Sequence, residues 1–109
     1  MRLGDYRSMW IITFFDLPTT TKKHKKAYTL FRKALLKDGF SMLQYSVYLR
    51  YCPSRENMEV HINYIKRNLP QEGKVSVMFL TDKQFECIYH FWGVEQVPAP
   101  GSPQQLELF

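Results

Sequence analysis

Cysteine is scarce: Cys52 and Cys87 are the only two in 109 residues. Two thiols so widely separated supply neither a disulfide scaffold nor a zinc cluster, and a reducing cytoplasm is the compartment expected. Long apolar runs are missing too. Apolar residues come in short groups such as Phe14-Phe15, far below the roughly 20 residues of a membrane span, so no membrane partner is expected. The first ten residues hold Arg2, Asp5 and Arg7 and no apolar signal core, so secretion is not indicated. No segment repeats, and the length excludes a multidomain enzyme.

What is present suffices for one packed core. The chain is 45% hydrophobic and 16% aromatic, which excludes disorder except at a terminus. Lys and Arg number 15 against 10 Asp and Glu, a net charge of +5. That charge is uneven. Lys22, Lys23, Lys25, Lys26, Arg32, Lys33 and Lys37 lie in one run with no acid among them, whereas residues 84–109 carry Glu86, Glu95 and Glu107 and no cation. A solvated face usually mixes its signs; this segment does not, and it points to a phosphate-bearing partner.

The apolar, β-branched and aromatic segment Met9 to Phe15 predicts a buried strand, ended by Asp16-Leu17-Pro18 because proline cannot extend a ladder. Thr19-Thr20-Thr21 offers N-caps. Ala27, Leu30, Phe31, Ala34 and Leu35 then recur on one helical face, which puts Lys22, Lys25, Arg32 and Lys33 opposite, with Gly39 as the stop. Phe40 to Tyr51 is a second β region, either bent or split at Gln44-Tyr45-Ser46. Ser54 caps a second helix with Met58, Ile62, Ile65 and Leu69 as its buried row, and Pro70 to Gly73 is a turn. Lys74 to Leu80 alternates as a strand. Thr81 to Gln84 has capping-box spacing, Cys87 to Trp92 predicts one more strand, and Pro98, Pro100, Gly101 and Pro103 form a linker.

This order fits an α+β, ferredoxin-like sheet with two helices on one face and extra C-terminal strand material, in a domain over residues 1–93 followed by a Pro-rich linker and strand or peptide over 94–109. The other sheet face would stay aromatic, with Trp10, Phe14, Tyr48, Phe79 and Phe91 as candidates. An apolar face of that size calls for a partner, so a homodimer is expected.

Asp16 is the only acid between Tyr6 and Lys37. At a strand end, before a polycationic helix, its carboxylate suits Mg²⁺ or Mn²⁺ beside phosphate. The competing reading is an Asx-turn or a helix acid satisfied by backbone N–H groups. One carboxylate is a thin metal site, and a dimer would bring two together. Lys22, Lys25, Lys26, Arg32 and Lys33 are the candidate phosphate contacts; nothing among them reads bases, so binding without sequence preference is expected. His24, His61 and His90 lack ligand spacing, and His61 reads as a hydrogen-bonded, partly buried side chain. The serines lack an accompanying histidine pattern for nucleophilic catalysis.

Phe14-Phe15-Asp16-Leu17-Pro18, the Lys-rich helix, Leu36 to Phe40, Gln44-Tyr45-Ser46-Val47-Tyr48 and Asn68-Leu69-Pro70 occur in an order that resembles the small CRISPR-associated adaptation proteins of the "Cas-two" family, in the form that accompanies single-effector, type II systems. The resemblance covers roughly residues 8–93. It implies a ferredoxin-like homodimer that bridges "Cas-one" integrase subunits and holds a short double-stranded DNA for insertion as a new spacer. It also implies a divalent-metal-dependent endonuclease whose catalytic and metal-binding acid falls on Asp16. Family members differ in whether they cut, so a structural DNA-binding subunit and a stand-alone endonuclease acting on RNA or DNA both stand. The terminal Gln105, Leu106, Leu108 and Phe109 lie beyond the strongest match. Their alternation suits strand addition to another protomer or the integrase. Gln-Leu-x-Leu-Phe also resembles the short peptide by which bacterial replication and repair proteins bind the sliding clamp.

Overall fold

The computed structural model describes residues 8–100. The terminal partner-binding candidates Gln105, Leu106, Leu108 and Phe109 lie outside the described residues.

The main sheet is built from β1 (Met9–Asp16), β2 (Ser41–Gln44), β3 (Val47–Cys52) and β4 (Lys74–Thr81), in the order β2-β3-β1-β4, with every neighbouring pair antiparallel. Helix α1 (Lys22–Lys37) joins β1 to β2, and α2 (Arg55–Arg67) joins β3 to β4. This α+β arrangement is compatible with the ferredoxin-like plan. Side chains alternate along β1, so Ile11, Thr13 and Phe15 turn toward the helices and Trp10, Ile12 and Phe14 toward the other face. The helix-side core joins Ile11 and Phe15 to Phe31 and Leu35 of α1 and to Met58 and Ile65 of α2. Burial of each such side chain is worth about 1.5–3 kcal/mol.

Each helix starts on an expected cap. The Thr21 hydroxyl accepts from the His24 N–H and that of Ser54 from the Asn57 N–H. Two apolar positions depart from expectation. Leu30 is 58% exposed, because it lies about 100° around the helix from Phe31, on the flank of the packed stripe. Leu69 is half exposed, because α2 ends at Arg67 and Asn68 is its C-cap.

The region 40–51 is a hairpin of two strands. Tyr45-Ser46 makes the turn, with Ser46 at φ 62°, and the register shifts between Met42 and Gln44. That geometry corrects the expected aromatic face. Tyr48 stands opposite Thr13 and is 1% exposed within the helix-side core; Phe79 stands opposite Ile11, on the same side, at the sheet edge. Phe91 belongs to a separate hairpin. Trp10 and Phe14 do lie on the face away from the helices. That face is partly covered, because α3 (Asp82–Glu86), held by the expected Thr81–Gln84 capping box, stacks Phe85 on Trp10 with ring centres 4.2 Å apart. Ile12, Leu49 and Phe85 form a second small core there.

The expected strand over Cys87 to Trp92 is shorter, because Cys87 is the C-cap of α3. β5 (His90–Trp92) pairs instead with β6 (Glu95–Val97) through a turn at Gly93. This hairpin straddles residue 93, and β6 ends just before Pro98. Among the described residues, no helix is long and apolar enough to cross a membrane.

Candidate nucleic-acid interface and carboxylate site

Asp16 closes β1 and is exposed, with Lys74 as its cross-strand neighbour on β4. Among the described residues, neither a hydrogen bond nor an ion pair engages its carboxylate, which disfavours the Asx-turn reading. The chain beneath it is tightly fitted. Gly73, at φ +98°, approaches so closely that an added Cβ would lie 2.8 Å from the Asp16 carbonyl oxygen and 2.7 Å from Leu17 Cδ2. A recess of about 310 Å³ beside Asp16 is lined by Phe14, Asp16, Tyr45, Val47, Lys74 and Ser76, among others.

Among the described residues, no three His, Cys, Asp or Glu side chains gather as a metal cluster. The donor type still fits a hard cation: Mg²⁺ retains several waters and is commonly held by one or two carboxylates plus phosphate. One chain supplies one of those carboxylates.

Helix α1 presents the cationic candidates. All of Lys22, Lys25, Lys26, Arg32 and Lys33 are exposed. At 100° per residue Lys22, Lys26 and Lys33 fall on one stripe, and Lys25 and Arg32 on a neighbouring one. Arg32 is not opposite the core as expected. It stands at the flank, and its Nε donates to the Tyr48 hydroxyl at 3.0 Å. The first turn holds no acid, so lysines occupy the end of the helix where the macrodipole is already positive. Packing does not call for that arrangement, and an anionic partner would compensate it.

Residues outside the expected set hold this surface in place. His24 Nε2 donates to Glu72 Oε2 at 2.6 Å, and its Nδ1 shares a hydrogen bond with the Thr20 hydroxyl at 3.2 Å. This contact ties the start of α1 to the α2–β4 turn beside a second recess of about 280 Å³. His61 is hydrogen-bonded and buried, as expected: its Nδ1 donates to the Asp38 carboxylate at 2.7 Å. Sequence reasoning passed over Tyr45, which is 74% exposed and stacked on Tyr28, with centres 5.7 Å apart and an interplanar angle of 18°. No sequence signal tied it to Asp16, from which α1 and β2 separate it along the chain. The Tyr28 hydroxyl beside it pushes the Tyr45 phenol above its ordinary value.

These elements define a small α+β protein with an acid-free basic helix beside an exposed strand-end carboxylate. The family model for CRISPR associated protein Cas2 matches residues 9–88. A relative from Flavobacterium psychrophilum, named CRISPR-associated endoribonuclease Cas2, is 55% identical over 108 residues, covering 99% of this chain and 94% of its own. Relatives of the same name from Parvibaculum lavamentivorans and Paracidovorax avenae are 50% and 45% identical, covering 93% and 98% of this chain and 100% and 99% of their own. The chain belongs to the CRISPR associated protein Cas2 family.

Proposed function

We propose that this protein is a DNA-binding structural subunit of the CRISPR spacer-acquisition complex, a cytoplasmic homodimer that bridges Cas-one integrase dimers and holds the new spacer duplex. The exposed, acid-free cationic side of α1 carries the reading. Phosphate contacts of this kind give affinity without sequence preference and a steep salt dependence. The association with single-effector, type II systems rests on the sequence motifs. The test is spacer acquisition in cells that carry a CRISPR array and the integrase, comparing the wild type with a charge-reversed α1. Unchanged acquisition would overturn the proposal.

Two features support a second copy as partner. Among the described residues β4 is an edge strand with Met78 and Phe79 exposed, and the β5–β6 hairpin with the residue before it exposes Tyr89, Phe91, Trp92 and Val94. Apolar surface beside an open edge suits strand addition. The protein should sediment at about twice its 13.0 kDa mass; a monomer at micromolar concentration would argue against this. The dimer would set two Asp16 carboxylates across one cleft, near enough to share a cation.

A second reading is a metal-dependent endonuclease acting on RNA or DNA. The relatives' name, endoribonuclease, favours it, as does the Asp16 carboxylate, exposed and unengaged among the described residues. Asp16 would hold Mg²⁺ or Mn²⁺, which when bound supplies charge neutralisation at the scissile phosphate. Loss of cleavage in Asp16→Asn with acquisition intact would assign the array function to the scaffold and make cleavage incidental.

A further inference from the structure

The Asp16 recess has aromatic walls that phosphate contacts on α1 leave unused. Tyr45 sits at the tip of the β2–β3 hairpin, where an aromatic gains little from burial because it is 74% exposed. Its position is nevertheless defined. One face of the ring stacks on Tyr28, and the Tyr28 hydroxyl hydrogen-bonds Ser46 Oγ at 3.0 Å. The Phe15 N–H donates to the Ser46 carbonyl at 3.1 Å, which fastens the turn to the end of β1. Ser46 itself holds a positive φ, an unfavourable state for a residue with a side chain. A strained turn, two tyrosines and a strand end thus cooperate to hold an exposed ring beside Asp16. The rest of the recess adds a half-exposed phenyl at Phe14, a cation at Lys74 and a hydroxyl at Ser76.

We propose that Tyr45 is a stacking platform for an unpaired nucleobase, at the frayed end or overhang of a bound nucleic acid, with the attached phosphate directed toward Lys74. The inference rests on nucleic acid being the partner. Stacked bases inside a duplex are closed to such a ring, whereas an unpaired base offers its π-face whatever its identity. The site would therefore prefer single-stranded ends without reading sequence. It would also bring the phosphodiester at the single-strand junction beside the Asp16 carboxylate.

The test compares a blunt duplex with the same duplex carrying unpaired ends, at one salt concentration. The wild type should bind the unpaired-end DNA about tenfold tighter. Tyr45→Leu should lose that preference while keeping blunt-duplex affinity, and Tyr45→Phe should retain it. A 2-aminopurine at the unpaired position should change fluorescence on binding wild type and Tyr45→Phe but not Tyr45→Leu, which reads stacking in place without relying on affinity. Equal wild-type binding of the two DNAs, or a preference that survives Tyr45→Leu, would overturn the stacking site while leaving duplex binding intact. Failure of the wild type to bind either DNA would instead remove the nucleic-acid reading and this inference with it.

Discussion

Gly73 and Asp16 are packed so closely that an added Cβ at Gly73 would stand 2.8 Å from the Asp16 carbonyl oxygen. The turn into β4 thus fixes the backbone of the candidate metal-binding residue. Gly73 also sits at φ +98°, where a Cβ costs about 1–2 kcal/mol before any contact is counted. Gly73→Ala should therefore destabilise the fold by at least that amount in urea unfolding and should displace Asp16. Any divalent-metal-dependent cleavage should fall more than the lost stability accounts for. A variant as stable as wild type would show that the turn relaxes freely and that the fit is incidental.

Charge reversal on α1 tests the interface. Lys25, Arg32 and Lys33 together changed to Glu should abolish duplex DNA binding at moderate salt. In the wild type the logarithm of affinity should fall linearly with that of salt concentration. Because Arg32 also donates to the Tyr48 hydroxyl, Tyr48→Phe is the control. It should bind DNA as the wild type does, which separates lost charge from lost packing. A triple variant that binds unchanged would reduce the basic face to ordinary solvated surface.

Much of this scaffold was legible because its signals are local. β1 announces itself by an apolar run stopped at Pro18, the caps at Thr21 and Ser54 by their hydroxyls, and the Thr81–Gln84 capping box by its spacing. Face parity was not legible. A two-residue turn at Tyr45-Ser46 and an irregular register decide which side Tyr48 takes, and a shift of one residue moves a strand's whole side-chain set to the other face. Tyr48 was misplaced for that reason, and Phe79 because its face is set by pairing with Ile11 of β1. β6 escaped notice because three residues are too short to show a period. At the site, Asp16 stood out as a lone acid. The recess around it did not, since Tyr45 and Lys74 reach it only through pairings with β3 and β4.

The Asp38–His61 contact links the C-cap of α1 to the buried face of α2, with side chains only 15% and 10% exposed. His61→Ala would strand the carboxylate away from water without its donor. The expected loss is about 1–3 kcal/mol in chemical denaturation. A double-mutant cycle with Asp38→Ala should show clear coupling, and additive losses would mean the two groups act independently.

The two cysteines should behave differently. Cys52 is fully buried, and burial pushes its thiol above the ordinary 9.0, with Arg50 opposing in part; Cys87 is exposed. Cys87 alone should react with a thiol reagent in the native protein, and both should react in denaturant. The raised value also fixes a sign. Folded Cys52 keeps its proton at pH values where the unfolded thiol loses it, so its contribution to stability is complete below the unfolded value. That contribution is lost as pH rises through the folded value. Cys52→Ala should therefore show a shallower loss of stability than wild type above pH 9. Equal slopes would mean that the thiol is solvated in the fold.

The terminal Gln105-Leu106-Glu107-Leu108-Phe109 suited either strand addition or a clamp-binding peptide. On the clamp-binding reading, Leu106, Leu108 and Phe109 would enter an apolar pocket with Gln105 hydrogen-bonding at its rim. On that reading the full chain should bind purified bacterial sliding clamp directly. Phe109→Ala should weaken that binding about tenfold or more, since an aromatic anchor buried in a pocket carries a large share of such an interface. Deletion of residues 105–109 should leave the sedimentation of the free protein unchanged. The opposite pattern, with no clamp binding and a dimer or integrase complex weakened by the deletion, would return the segment to strand pairing. If neither property changes, the segment has no part in either contact.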